Sequence, residues 1–191
     1  MIYRIFVEKK DNLQAKHVKE DIKNLLKIDV EDVRKLIRYD VEGMTEEEFG
    51  KAVPTVFSEP PVDDVYLENV SFGEDYKVFA ISYLTGQYDQ RADSAAQCVQ
   101  LLTQKERPLI KCANIYAIKG VDDESLARIK KHLINPVESE EVSLEKPTSL
   151  AHVTVEVEVV KSVKGFIKMS DEEIAAYHAK MGFAMSVADL A

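Results

Sequence analysis

The chain has 191 residues, 46% of them hydrophobic, and a formal net charge of −9 at pH 7. This size and composition predict a globular protein with its own core, and the acidic charge disfavours nucleic acid as a partner, because Lys and Arg side chains supply most of the affinity for phosphate backbones. No apolar run approaches the ~20 residues that span a bilayer, and residues 1–7 are too short and too alternating for a signal peptide, so we expect a cytoplasmic protein without a membrane partner.

The first part of the chain predicts a strand, a helix, a second strand and a short helix. Alternation of apolar and polar residues indicates the strands, and an apolar stripe at helical spacing indicates the first helix. Thr45 followed by Glu48 is a capping-box pattern, which predicts the start of the short helix. The four elements are predicted at residues 3–7, 15–26, 33–41 and 46–53.

The same order of elements recurs downstream. Residues 76–80 repeat the pattern of the first strand, a helix follows from Gln90, and a strand is predicted at 112–118. Residues 39–49 align with residues 116–126 without a gap, through a strand, a turn glycine, an acidic cap and an apolar helix position. The sequence therefore predicts an internal duplication.

Two related halves account for this repetition. A single half would leave an unpaired strand edge and an exposed sheet face, and the fusion of two copies covers both. We therefore predict an α+β fold of two duplicated strand-helix-strand-helix halves, at about residues 1–70 and 74–139, which form a pseudo-dimer with antiparallel sheets.

The helix that begins at Gln90 has an unusual polar face. Asp89 is its predicted N-cap. Its apolar stripe consists of Ala92, Ala95, Val99 and Leu102. The opposite side carries short or hydrogen-bonding side chains in place of the usual Lys and Glu, which suits a partner surface, although a solvated surface is the commoner interpretation on composition alone. The candidate contact residues are Gln87, Asp89, Gln90, Arg91, Asp93, Ser94 and Gln97.

The chain changes character after Ser139. A polar stretch is followed by residues 152–160, which alternate as a half-buried strand. Ser170 is the predicted cap of a helix that ends at Gly182. We predict a pseudo-dimeric domain at 1–139, a linker with one strand at 140–168 and the start of a helical linker domain at 169–191.

The last predicted helix begins after Ser186 and has barely one turn. One turn does not recover the cost of helix nucleation. We therefore expect the sequence to be a truncated fragment of a longer polypeptide.

The sequence predicts no catalytic, cofactor-binding or metal site in this chain. Cys98 and Cys112 form no CxxC pair, so both are expected to be free thiols. The four histidines lie in separate segments without the spacing of metal ligands, and no glycine-rich phosphate-binding loop occurs.

Four separated blocks of the sequence resemble the N-terminal PurS-like domain of the large, single-chain phosphoribosylformylglycinamidine synthases, which are formylglycinamide ribonucleotide amidotransferases. The blocks are residues 38–43, 55–63, 86–98 and 133–139, in the expected order. Together they cover roughly residues 1–140 and are more specific than a lone motif. Residues 182–190 also resemble the start of the family's linker region. The resemblance implies a fold like that of a small PurS homodimer fused into one chain.

The family reaction converts formylglycinamide ribonucleotide, ATP and glutamine to formylglycinamidine ribonucleotide. The resemblance implies that central synthetase domains handle ATP and magnesium and that a C-terminal glutaminase domain cleaves glutamine. Neither segment occurs in this chain, so we expect no cofactor here and no activity from the fragment alone. The expected role is structural: the domain bridges the synthetase and glutaminase domains of the same polypeptide and supports ammonia transfer, since ammonia released into water would be lost. The seven polar residues are the expected interdomain contacts.

Two other functions remain open from the sequence. One is a stand-alone regulatory module in which the cleft between two α+β halves binds a small effector. The other is an RNA-binding sheet of related topology, which ranks last because the chain is acidic and lacks the basic and aromatic run of such sheets.

Overall fold

The computed structural model describes residues 1–151 and 162–190. The chain divides into two compact units, Met1–His152 and Val153–Ala191. The first unit is α+β and contains one six-stranded antiparallel sheet, whereas the described part of the second unit contains short helices. Among the described residues, no helix is long and apolar enough to cross a membrane.

The bounds of the elements are as follows. The strands are β1 Ile2–Lys9, β2 Asp32–Glu42, β3 Asp63–Leu67, β4 Tyr76–Tyr83, β5 Leu109–Lys119 and β6 Ser139–Val142. The helices are α1 Leu13–Asp21, α2 Glu46–Ala52, α3 Gln90–Thr103, α4 Asp123–Leu133, α5 Asp171–Met181 and α6 Val187–Leu190. Helices α1 and α2 continue into π-helical turns at Ile22–Leu26 and Val53–Phe57, and a 3-10 turn lies at Phe166–Lys168.

The order of strands in the sheet is symmetrical about its centre. The order is β3-β1-β2-β5-β4-β6, and every pairing is antiparallel. Each half runs strand, helix, strand, helix, strand, and each places its first strand between the other two. Strands β2 and β5 pair along their whole length, with Ile37 opposite Asn114 near the middle.

The predicted helix starts are confirmed by hydrogen bonds. Thr45 and Glu48 form the reciprocal capping box of α2, in which the Glu48 carboxylate accepts from the Thr45 amide at 2.8 Å. The Asp89 carboxylate accepts from the Ala92 amide at 3.0 Å and so caps α3. Ser170 caps α5 in a second capping box. Caps are local interactions, which is why the sequence predicts them well.

Two apolar clusters lie between the helices and one face of the sheet. The first lies under α2 and α3, on strands β1 and β2, and the second lies under α1 and α4, on strands β4 and β5. The second half therefore contributes a helix to the core over the first-half strands. In the stripe of α3, Leu102 was predicted to be buried but is 44% exposed, and Ala96 is buried instead.

The sequence match between β1 and β4 is wrong by one residue. It aligns Phe6 with Phe79, but Phe79 lies in the cluster under α1 and α4, whereas Phe6 lies on the opposite face of the sheet. The strand pairings instead place Ile5 and Phe79 at corresponding positions, because Ile5 opposes Tyr39 and Phe79 opposes Tyr116. Since successive side chains of a strand alternate between faces, a shift of one residue exchanges core and opposite face.

A buried ionic cluster lies on the face of the sheet opposite the helices. Arg4 Nε is 2.5 Å from Asp40 Oδ1, and Arg38 Nε is 3.1 Å from Asp40 Oδ2. The two guanidinium groups also donate to backbone carbonyls of the segment after β6, from Arg38 to Ser143 at 2.8 Å and from Arg4 to Leu144 at 2.7 Å. The cluster thus fixes this segment across the first-half strands.

The region predicted as a linker at 140–168 begins inside strand β6, which pairs with β4 at the sheet edge. The Glu42 carboxylate then accepts from the Leu150 amide at 2.7 Å, and Leu150 is buried. The strand predicted at 152–160 lies outside the described residues. In the second unit, Gly182 ends α5 with a positive φ of 65°, as predicted for a C-terminal glycine.

Candidate functional site

A cleft of about 490 Å³ opens beside the first turns of α3. Four of the seven predicted contact residues line it: Asp89, Gln90, Arg91 and Ser94. The other three, Gln87, Asp93 and Gln97, do not line the cleft. The structure therefore divides the predicted polar face into a cleft group and an outer group.

Asp93 organises the outer group. Its carboxylate accepts from the Tyr88 hydroxyl at 2.9 Å, from Gln97 Nε2 at 2.8 Å and from Arg107 Nη2 at 2.5 Å. These bonds, with that from Tyr88 the largest contribution, hold the pKa of Asp93 below its usual range. They join α3 to the turn before it and the loop after it. Gln87 Nε2 donates to the Val137 carbonyl at 3.4 Å.

The floor of the cleft is the centre of the sheet. Ile37 and Asn114 face each other there and are both half-buried, whereas Cys112 and Tyr116, their neighbours on the same face, are buried. The helix pairs α1–α4 and α2–α3 cover the two sides of this face and leave its centre open. Leu133 at the end of α4 and Ile81 on β4 add apolar lining, and Glu138 is an exposed lining residue.

Two cations lie at this centre. Lys35 is half-buried, with Nζ 5.7 Å from the centroid of the Tyr116 ring. Burial, together with the nearby positive charge of Arg91, lowers the pKa of Lys35. The Arg91 guanidinium is also beside the Tyr39 hydroxyl, whose pKa is raised chiefly by burial. Across residues 1–151 and 162–190, neither Lys35 nor Arg91 forms an ion pair.

The predictions from the sequence do not include Lys35, although the sequence contains a signal for it. The odd positions of β2, Val33, Ile37, Tyr39 and Val41, form its apolar face, and Lys35 is the charged residue in that series. A lysine on an apolar strand face is desolvated unless a partner or a cavity accompanies it.

The cleft offers no nucleophilic thiolate. Cys98 and Cys112 are both free, as predicted, but Cys98 is not a lining residue. Cys112 is buried, and this burial raises its thiol pKa well above the ordinary value. A protonated, buried thiol is a packing group. Over the described residues, no group of His, Cys, Asp or Glu could hold a metal ion.

A much smaller cavity lies at the start of α1. Its volume is about 10 Å³, and Val7, Ala15 and Lys35 are among its lining residues. Ile37 lines both cavities, so they adjoin at the centre of the sheet.

The fold and the cleft define an α+β protein with a symmetrical sheet and a polar cleft at the centre of its helix-covered face. A comparison with protein-family models gives no match, and a comparison with the curated proteins gives none either.

Proposed function

We propose that the chain is the PurS-like N-terminal domain, with the start of the linker, of a phosphoribosylformylglycinamidine synthase. The observation that carries the proposal is the sheet order β3-β1-β2-β5-β4-β6, with the same succession of elements in each half. A small homodimer fused into one chain has such an order. The gapless alignment of residues 39–49 with residues 116–126 also aligns Ile37 with Asn114, and these two residues oppose each other at the centre of the sheet, as a two-fold arrangement of two copies requires; this supports a duplication.

The proposed role of the domain is to bridge the synthetase and glutaminase domains of a cytoplasmic enzyme and to support ammonia transfer between them. ATP and magnesium then belong to the synthetase domains, and this domain has no catalytic residue. The exposure of Gln87, Gln90, Arg91, Ser94 and Gln97 supports their assignment as interdomain contacts. All of them except Gln87, which lies in the turn before α3, project from a helix that buried alanines fix against the sheet, and a rigid element is a suitable platform for an interface.

The test uses the natural polypeptide that contains these residues. Three activities are measured on it: glutamine-dependent amidine synthesis, ammonia-driven amidine synthesis and glutaminase activity. We expect Arg91→Ala and Gln97→Ala to lower the glutamine-dependent synthesis while the ammonia-driven synthesis survives, because the two variants weaken the contact between domains and leave the synthetase site intact.

The control variant is Gln100→Ala, which changes another exposed position of α3 outside the proposed contact. It is expected to leave all three activities unchanged. A natural polypeptide that forms no amidine from either nitrogen donor overturns the proposed function. Unchanged activities in the Arg91 and Gln97 variants overturn the contact assignment alone.

A second candidate function is a stand-alone regulatory module that binds a small effector. The cleft of about 490 Å³ favours it, because small-molecule sites commonly have volumes of about 300–1,000 Å³. The natural polypeptide distinguishes the two functions: a short chain without amidine synthesis supports the module, and a long chain with that activity supports the synthase.

A further inference from the structure

The central groove is the part of the two adjoining cavities formed by Lys35, Ile37, Arg91, Asn114 and Tyr116. We propose that this groove binds a small organic anion whose carboxylate or phosphate group lies between Lys35 and Arg91. The inference does not rest on the proposed function, since it concerns binding to this chain.

The charges of the groove are the first argument. Arg91 lines the cleft, and Lys35 lines the adjoining small cavity with its Nζ 5.7 Å from the ring centroid of Tyr116, which also lines the cleft. Although the chain has 34 acidic and 25 basic residues, neither cation has an ion-pair partner among the described residues. Lys35 is half-buried, and desolvated charges in proteins are ordinarily paired. An anion between the two side chains supplies the missing partner.

The neutral polar groups are the second argument. Within the described parts of the chain, neither the Asn114 amide nor the Ser94 hydroxyl has a side-chain hydrogen bond, although both line the cleft. Both groups can donate to an anion, and the Asn114 amide adds a second donor. Donors without internal partners beside two cations are the usual composition of an anion site.

The shape of the groove limits the size of the ligand. Ile37 and Tyr116 provide an apolar surface beside the charged end, and the cleft holds about 490 Å³. This volume suits a molecule with an organic body and exceeds what an inorganic ion alone would fill.

The acidic lining residues limit the charge of the ligand. The Asp89 carboxylate lines the cleft but accepts from the Ala92 amide as the cap of α3. Glu138 is exposed and lies after α4, on a different segment from the two cations. The groove therefore favours one compact anionic group over a polyanion, which these carboxylates would repel.

The experiment is an NMR titration of the ¹⁵N-labelled, 191-residue chain. The probes are inorganic phosphate and butyrate, with butyramide as the uncharged counterpart of butyrate. We expect phosphate or butyrate to shift the amide signals near Ser94 and Asn114, and butyramide to leave them unchanged. Shifts with phosphate alone assign a phosphate group, and shifts with butyrate alone assign a carboxylate.

Substitutions of the two cations test whether they are responsible for the anion binding. Arg91→Gln and Lys35→Gln are each expected to weaken binding about tenfold, the order expected for losing one charged hydrogen bond. Lys111→Gln is the matched control, because Lys111 is exposed on the same strand as Asn114 but on the other face. Arg91 is exposed, so its variant remains a valid test if the Lys35 variant fails to fold.

Two results would overturn the proposal. One is the absence of shifts near the groove with both anions. The other is equal affinity in the wild type, the Arg91 variant and the Lys111 control. The experiment measures binding to this chain. A failure of the anion-binding proposal therefore does not change the result of the amidine-synthesis assays, which test the proposed function separately.

Discussion

The starts of α1 and α3 hold corresponding positions in the two halves, yet a cleft opens beside α3, whereas a much smaller cavity lies beside α1. Val7 opposes Ile37 in the first half as Ile81 opposes Asn114 in the second. The cavity beside α1 has about 10 Å³, whereas the cleft beside α3 has about 490 Å³. The shared order of strands and helices is therefore not enough to form the cleft. The difference in cavity volume comes from the connecting segments and the side chains.

The connection before each helix explains much of this difference. Residues 10–12 join β1 to α1, whereas the longer segment 84–89 joins β4 to α3. The short connection ends at Asn12, with a positive φ of 53° and no side-chain cap, and buries Ala15 against the sheet. The longer one leaves space for polar side chains between α3 and the sheet centre.

The two halves also differ on the opposite face of the sheet. In the first half, Arg4 opposes Asp40 in the strand register, whereas the equivalent pair in the second half is Val78 and Ala117. The position of Arg38 corresponds to Ile115, which is fully buried. Both halves thus contribute apolar residues to this face, and the first half adds an ionic cluster that holds the segment after β6.

The largest expected effect comes from breaking the ionic cluster. Asp40→Ala leaves Arg4 and Arg38 buried without their carboxylate, and removing one partner of a buried ion pair costs about 3–5 kcal/mol. We expect the free energy of unfolding to fall by that amount. Denaturation of the chain in urea, followed by circular dichroism, measures it.

A variant that copies the second half sharpens this comparison. The combined change Arg4→Val, Arg38→Ile and Asp40→Ala removes the charges together, and replacing a whole buried ionic cluster by apolar residues is often neutral or stabilising. We expect it to be more stable than Asp40→Ala and to expose the segment after β6 to protease. A triple variant less stable than Asp40→Ala would contradict the argument from desolvation.

Another prediction compares the starts of α1 and α3. Ala15→Leu forces a larger side chain into a site where Ala15 is 1% exposed, and overpacking of this kind costs about 1–3 kcal/mol. Ser94→Leu introduces the same side chain at an exposed position that lines the cleft, and we expect the stability to stay within about 0.5 kcal/mol of the wild type. Equal losses of stability in urea denaturation would show that the cleft is not open space.

The sequence predicts the elements whose signals are local. The caps at Thr45, Asp89 and Ser170 follow from neighbouring side chains, and the order of elements follows from periodicity. The short edge strands β3 and β6 have no such signal, since pairing along the backbone positions them. The segment after β6 is held through its carbonyl groups, which every residue type has.

The candidate site was predictable only in part. Asp89, Gln90, Arg91 and Ser94 follow one another on a single helix, so helical spacing is enough to group them. Lys35 comes from the other half of the chain and lies beside the cleft because the pairing of β2 with β5 places it opposite Tyr116. This position depends on the register of the two strands and on the gap between the helix pairs, and neither can be obtained from residue spacing within one element.

The smallest expected effect concerns Asp93, whose hydrogen bonds have no counterpart at the start of α1. Bonds from Tyr88, Arg107 and Gln97 lower the pKa of its carboxyl. A carboxyl with a folded-state pKa below its unfolded value of about 3.9 contributes stability that is present above that pH and lost as the pH falls through the folded-state pKa. Tyr88→Phe and Arg107→Gln should therefore raise the pKa of Asp93 and reduce the loss of stability on acidification.

Carboxyl ¹³C NMR titration of Asp93 measures this effect directly, and unfolding at pH values on both sides of the titration measures its consequence. Lys105→Gln serves as the control, because Lys105 pairs with Glu48 at 2.5 Å and makes no ion pair with Asp93 among the described residues. Added salt should weaken the contribution of Arg107, since ion pairs accessible to solvent are screened. If the pKa of Asp93 is the same in the wild type and in both variants, the hydrogen bonds from Tyr88 and Arg107 do not hold the start of α3. The longer connection before α3 is then the remaining physical difference between the two helix starts.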